Sequence, residues 1–254
     1  MCNRYLESRL VLQLAACSAI AYAQSANIGL GTNPDAQGAS EEVTPGAGPN
    51  GSEDWLNSGM EADGWTAPYL SWDSLVKIDR KTFYANAGSA CEQYDWAFQQ
   101  AGDEHQIDPV FLAFIAMQES SCDADAGGPT PGLMQVACEN YPDGQCTNDV
   151  AKSVDAGASF LRKQLDDNNN NAIKVIGNYN GWFTAGDQTG LNGGRGLSLD
   201  YPCSDDGKAY GQPQNLDYLQ QTLNGWFLGL NPYGDENWLG QYHCSGSCDS
   251  GNVC

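Results

Sequence analysis

Residues 110–117 place eight apolar side chains in succession, Val-Phe-Leu-Ala-Phe-Ile-Ala-Met, immediately after Asp108-Pro109. A helix that is hydrophobic all round has no face for water and must be buried on every side. Asp108 supplies an N-cap and Pro109 suits the first helical position, so the run reads as a helix rather than a buried strand. Its polarity switches abruptly at Gln118-Glu119-Ser120-Ser121-Cys122. Glu119 therefore stands at the end of a buried apolar rod. Desolvation there disfavours its charged form and raises its pKa, the property a general acid needs to donate a proton to a leaving oxygen.

The surrounding pattern is mainly helical. Tyr94, Phe98 and Ala101 share one face of a helix ending near Gly102. Residues 126–132 (AGGPTPG) form a Gly/Pro loop, and Gly132-Leu133-Met134-Gln135-Val136 reads as a short extended piece. Val150, Val154, Ala158, Leu161 and Leu165 mark an amphipathic helix. Residues 172–180 give a second short, mostly buried helix, and a last one carries Leu216, Leu219, Leu223 and Trp226. The expected fold is α+β and predominantly helical, with a central buried helix and a small β element.

Three segments are expected. Residues 1–23 read as a secretory signal peptide: Arg4 and Arg9, an apolar stretch from Leu10 to Ile20 broken by Gln13, and Ala21-Tyr22-Ala23 as a cleavage site. Leu14-Ala15-Ala16-Cys17 also resembles a lipobox that would anchor a lipid on Cys17, but the apolar run before it is short. Residues 24–72 lack apolar periodicity and read as a flexible acidic Gly/Ser/Pro-rich linker bearing the sequon Asn50-Gly51-Ser52. Trp55, Trp65 and Trp72 near its end are expected to pack back onto the domain more than to stack on sugars. Residues 73–254 are the folded domain.

Cleavage after Ala23 would leave eight cysteines, Cys91, Cys122, Cys138, Cys146, Cys203, Cys244, Cys248 and Cys254. In an exported chain an even count implies a disulfide framework of open connectivity. His243 with the C-terminal cysteines has a zinc-like spacing, but disulfides suit that compartment better, so no metal or other cofactor is expected. The whole chain has 11 Lys and Arg against 32 Asp and Glu, a net charge of −21. That excludes the clustered cations a nucleic-acid binder requires. With no apolar stretch beyond the N-terminus long enough to span a bilayer, the mature protein is expected to be a secreted monomer without a membrane segment.

The run IDPVFLAFIAMQESSC, then GLMQV, VDAGASFLRKQL and NYNGW, resembles in order and spacing the soluble lytic transglycosylase and goose-type lysozyme superfamily, family 23 of the glycoside hydrolases. The resemblance covers about Cys91 to Phe227 and implies a lysozyme-like domain cleaving β-1,4 bonds between N-acetyl amino sugars, peptidoglycan first. It implies that Glu119 is the catalytic acid/base. Met134 and Gln135 would lie along the cleft, Tyr179 and Asn180 beside the glutamate, and Tyr218 would match a tyrosine of the final helix. Tyr179 is expected to donate a hydrogen bond near the reacting centre, and Ser120 to make a helix-end bond. Where goose-type lysozymes carry an aspartate after GLMQV, this chain has Ala137; Asp123, Asp125 and Glu139 are the nearby acids. The lytic-transglycosylase pattern requires no second carboxylate. Chitin or chitosan cleavage is the enzymatic alternative, since a polyanionic wall repels so acidic a protein. A catalytically silent glycan-binding module is the other.

Overall fold

The computed structural model describes residues 26–187, 190–209, 214–234 and 239–242. The signal peptide and lipobox, His243, Cys244, Cys248 and Cys254 lie outside the described residues.

The central rod is α4 (Pro109–Ser120). The Asp108 carboxylate caps it by accepting from the Val110 amide at 3.1 Å, and Lys77 pairs with the same carboxylate at 2.8 Å. Every residue from Val110 to Ala116 is buried. The rod ends at Ser121 and Cys122, both left-handed (φ 56°), which turn the chain away from the helix axis. Cys122 is held there by a disulfide to Cys91.

Four elements wall in α4. Helix α3 (Asp95–His105) covers one side with Ala97, Phe98 and Ala101. The amphipathic α5 (Val150–Asp167) turns in Val154, Ala158, Leu161 and Leu165. The short α8 (Tyr218–Leu223) and the 3₁₀ turn Trp226–Leu228 close the rest, with Phe227 stacked on Phe114 at 4.8 Å. Helix α6 (Ala172–Tyr179) packs beside α5 and α8, its apolar side fully buried. The remaining helices are α1 (Glu53–Leu56), α2 (Arg80–Tyr84) and α7 (Asp205–Ala209). Among the described residues regular β-structure is confined to two antiparallel pairs of two-residue strands, β1 (Ala26–Asn27) with β2 (Glu42–Val43) and β3 (Ala47–Gly48) with β4 (Gly51–Ser52). The fold is therefore predominantly helical. The small β element, however, lies in the N-terminal segment; residues 132–136 form a turn, with Gly132 and Gln135 at positive φ, instead of the extended piece expected there.

The flexible linker expected over residues 24–72 is corrected by the structure, which packs residues 26–72 onto the domain. Leu56, Met60, Trp65, Leu70 and Trp72 all enter the main core. Trp65 lies edge-on to Trp182 with centroids 5.0 Å apart, and Gly177 of α6 is required there, since a Cβ would lie 2.5 Å from the Trp65 ring. Asn50, the acceptor of the sequon, is wholly buried. Its side chain donates to the Val76 and Leu223 carbonyls at 2.9 and 2.7 Å and accepts from the Val76 amide at 2.8 Å. It is thus a structural bracket and not a surface glycosylation point. The segment has too few apolar residues to form a core alone, but it can be ordered by adding them to one already built. Two disulfides, Cys91–Cys122 and Cys138–Cys146, join expected cysteines, and Cys203 is also disulfide-bonded.

The N-terminal segment also buries a carboxyl pair. Glu53 of α1 hydrogen-bonds Asp217, the residue before α8, and both are buried. The Gln241 side-chain amide donates to Glu53, while the Gln241 and Tyr242 backbone amides donate to Asp217 at 2.7 and 3.3 Å. Burial first, then Asp217, then nearby Asp54, push the Glu53 pKa far above its ordinary 4.5. The folded state therefore holds a proton that the unfolded chain has released above pH 4.5. The stability contributed by this pair is full below that pH and declines as pH rises through neutrality toward the raised folded value. Glu53→Gln, which keeps a donor for Asp217 without titrating, is expected to flatten this decline. Urea unfolding midpoints across the pH range test it; wild type and variant declining in parallel would refute it.

Candidate active site

Three polar chain ends converge where α4 stops being apolar. Glu119 stands on its last turn, Tyr218 opens α8, and Tyr179-Asn180 closes α6. The Tyr218 hydroxyl donates a hydrogen bond to Glu119 Oε1. Glu119 is partly buried and reaches the floor of a cleft of 310 Å³ whose walls include Gln135, Glu139, Phe160, Tyr179 and Asn180. Desolvation pushes its pKa up from 4.5 to about 8, with the Tyr218 hydrogen bond opposing the rise. A carboxyl group in this setting keeps its proton at neutral pH while facing a space that a sugar ring can enter.

The GLMQV turn is the opposite wall, and its backbone is tied to both helix ends. Ser120 Oγ donates to the Leu133 carbonyl at 2.7 Å and to the Ala116 carbonyl at 3.1 Å, the helix-end role expected of it. The Tyr179 hydroxyl donates to the Met134 carbonyl at 2.8 Å, and the Met134 amide donates to Ser153 Oγ of α5 at 3.1 Å. Tyr179 thus spends its proton on fixing the wall, where the sequence suggested a bond near the reacting atoms. Its ring stands edge-on to Phe160, which shapes the cleft side.

Met134 does not line the cleft. Its side chain is fully buried and fills the space over Gly157 of α5, where a Cβ would lie 2.7 Å from the Met134 methyl. The left-handed backbone at Gln135 redirects the chain between the two residues, so that Gln135 lines the cleft while Met134 stays in the core. Gln135 holds a left-handed backbone (φ 46°), an unfavourable conformation of a kind that collects at functional sites. Its side-chain amide donates to the Gly132 carbonyl at 2.9 Å, and its Oε1 receives the Thr130 hydroxyl at 3.4 Å. No bond joins it to Glu119. The Asn180 side-chain oxygen accepts from the Asn215 amide at 2.8 Å, joining α6 to the approach of α8.

Several participants carry no readable signal in the sequence. Behind Glu119, Gln118 donates to the Tyr233 hydroxyl at 2.6 Å and accepts from the Trp226 indole at 2.7 Å. Tyr233 and Asn215 donate to Gln221 at 3.0 and 2.7 Å. This buried polar network fixes the helix end that presents Glu119. Gln118 is adjacent to the glutamate, the one hint available; its partners are brought in from more than 90 residues away. Of the nearby acids, only Glu139 lines the cleft, beside Ala137, whereas Asp123 and Asp125 are exposed on the loop and do not. A larger cavity of 460 Å³ lies elsewhere, between Trp72, Lys77, Phe111 and Arg162. Its aromatic rings are buried and its two cations are paired with Asp108 and Asp166, so it offers no comparable reactive group.

The family model described as the Transglycosylase SLT domain matches residues 96–192. Over this stretch the chain is similar to an SLT domain. The matched stretch holds Glu119, Gln135, Tyr179 and Asn180; Tyr218 and the whole N-terminal segment lie outside it. No curated protein matches the chain. Among solved structures it is similar to the 70 kDa soluble lytic transglycosylase from Escherichia coli, at 24% identity and a TM-score of 0.31. That likeness covers 35% of this chain and 16% of the other. Described residues on both sides fall outside the family match, and Tyr218, whose hydroxyl touches Glu119, is one of them.

That contact makes a prediction. Tyr218→Phe removes the donor that favours the charged carboxylate, so the Glu119 pKa should rise above its value of about 8. A hydrogen bond to a charged group is worth roughly 1.5–3 kcal/mol, and a group partly shared with solvent less, so a rise of about one pH unit is expected. Carbon-13 titration of the labelled glutamate carboxyls would measure it; an unchanged midpoint would show that the bond does not form in solution.

Proposed function

We propose that this protein is a secreted lytic transglycosylase that cleaves the β-1,4 glycan chain of peptidoglycan, with Glu119 as sole acid and base. The observation that carries the reading is a carboxyl group kept protonated by burial at the floor of a cleft, within a matched SLT domain. The signal-like residues 1–23 and the disulfides support export.

Glu119 first gives its proton to the glycosidic oxygen, and the bond from that oxygen to the anomeric carbon breaks. The acetamido oxygen of the substrate assists at the anomeric carbon as positive charge develops. The Glu119 carboxylate, steadied by the Tyr218 hydroxyl, then takes the proton of the sugar's own 6-hydroxyl. The 6-oxygen closes on the anomeric carbon, giving a 1,6-anhydro end and restoring the acid. The GLMQV turn, fixed by Ser120, Tyr179 and Ser153, supplies a rigid wall against which the sugar is oriented. Ala137, where an aspartate would serve a hydrolase, supports cleavage without a protein nucleophile.

The acidity of the chain favours a second reading. A protein of this charge is repelled by anionic walls but not by neutral chitin-type chains or by cationic chitosan.

Glu119→Gln is expected to lower cleavage of purified peptidoglycan by about 100-fold or more while leaving the fold intact. Turbidity clearing measures the rate and circular dichroism the fold; equal clearing by both proteins would overturn the assignment. Wild-type activity should also fall as pH rises through about 8, where Glu119 loses its proton. Product masses decide the chemistry. Anhydro ends are lighter than reducing ends by one water, and a spectrum of reducing ends alone would reject transglycosylation.

A further inference from the structure

The cleft has a charge that the proposed reaction does not use. Among the described residues, its walls carry two carboxyl groups, Glu119 and Glu139, and no Lys, Arg or His. Below pH about 8 Glu119 keeps its proton, so the formal charge of the cleft is that of Glu139. Glu139 forms none of the ion pairs found among the described residues, and its side chain is exposed.

Its position is built. Glu139 lies on the 3₁₀ turn Cys138–Asn140, closed by the Asn140 amide on the Ala137 carbonyl at 2.9 Å and the Tyr141 amide on the Cys138 carbonyl at 3.1 Å. The Cys138–Cys146 disulfide pins the turn, and Tyr141 beneath it is buried. The backbone of residue 139 is therefore held in place while the residue lines the cleft with an exposed side chain. Phe160 and Val136 give the same cleft low-dielectric walls, which concentrate the field of an unpaired charge.

We propose that Glu139 is a specificity residue that selects glycans carrying a protonated free amine, glucosamine left by de-N-acetylation, at a sugar position next to the one being cleaved. The inference rests on the glycan-cleaving reading above and narrows its substrate class. The cleaved residue itself keeps its acetamido group, which the reaction needs; its neighbour does not. The same carboxylate disfavours neighbours bearing carboxylates. An alkylammonium near a partly solvated carboxylate gains about 0.2–1 kcal/mol, which corresponds to a preference of up to about fivefold.

The test is binding to Glu119→Gln protein, in which ligand is not consumed. A partially de-N-acetylated chito-oligosaccharide and its re-N-acetylated counterpart are titrated by calorimetry at mildly acidic pH, where the amine is protonated. The amine-bearing oligomer should bind about threefold more tightly at low salt. The preference should vanish in high salt and when Glu139→Gln is added. Equal affinities, a preference that survives Glu139→Gln, or no binding of either oligomer would overturn the proposal. Cleavage is measured separately with Glu119 intact. Failure to cut any glycan while the binding preference persists would count against the transglycosylase reading and leave this one standing. Anhydro products should persist in a Glu139→Gln enzyme; reducing-end products lost in that variant would make Glu139 a water-activating base instead and overturn a purely selective role.

Discussion

The hydrogen bond from Tyr218 to Glu119 exists only because a polar end has been brought to an apolar rod from both sides. Helix α4 is too hydrophobic to meet water anywhere along Val110–Ala116, so the chain must wrap it. At the last turn the wrapping leaves an opening, where Glu119 emerges. Burial then does two things to one residue. It raises the cost of ionising the carboxyl, and it brings Tyr218 from 99 residues further along the chain to within bonding distance. The first effect dominates, and the group stays protonated at neutral pH with its stabilising partner already in place for the ionised form.

Holding that partner is the task of the segments outside the matched SLT residues. Asp217 precedes Tyr218 directly and is gripped by Glu53 of α1 and by the backbone of residues 241–242. Asn50 bonds the last carbonyl of α8, and Asn224, one residue further on, bonds back to the Asn50 amide at 2.8 Å. The N-terminal segment therefore acts on the site through the placement of α8, without lining the cleft. Its sequence is polar because its job is to satisfy backbone groups of a helix already packed on a core.

The two sides of the cleft differ in kind. One is helical and apolar beneath, carrying the proton; the other is the GLMQV turn, strained at Gln135 and fastened through carbonyls to Ser120 and Tyr179. Tying a turn by its backbone lets Gln135 line the cleft, braced by its own bonds to Gly132 and Thr130. It also explains why Met134 and Gln135, adjacent in sequence, have unrelated roles. The disulfide-closed loop that follows gives the cleft a charged rim, pinned by the Cys138–Cys146 bridge and by buried Tyr141.

Residues 108–120 are legible as a capped, buried helix with a terminal carboxyl, and α5 and α6 are equally legible, because periodicity and capping are local properties of the chain. Glu119 and the Tyr179-Asn180 pair follow from those helices and the family order. The order in residues 26–72 was not legible, since a segment that packs onto another core needs no periodicity of its own. Nor was the Gln118–Trp226–Tyr233–Gln221 network, whose members lie far apart and are ordinary polar and aromatic residues. The sequence by itself determined which helix must be buried and which carboxyl terminates it, because an apolar run has only one environment available to it. The tertiary structure alone decided what that carboxyl touches, which way Met134 and Gln135 point, and which acid reaches the cleft, because those depend on the meeting of segments whose local patterns carry no record of one another.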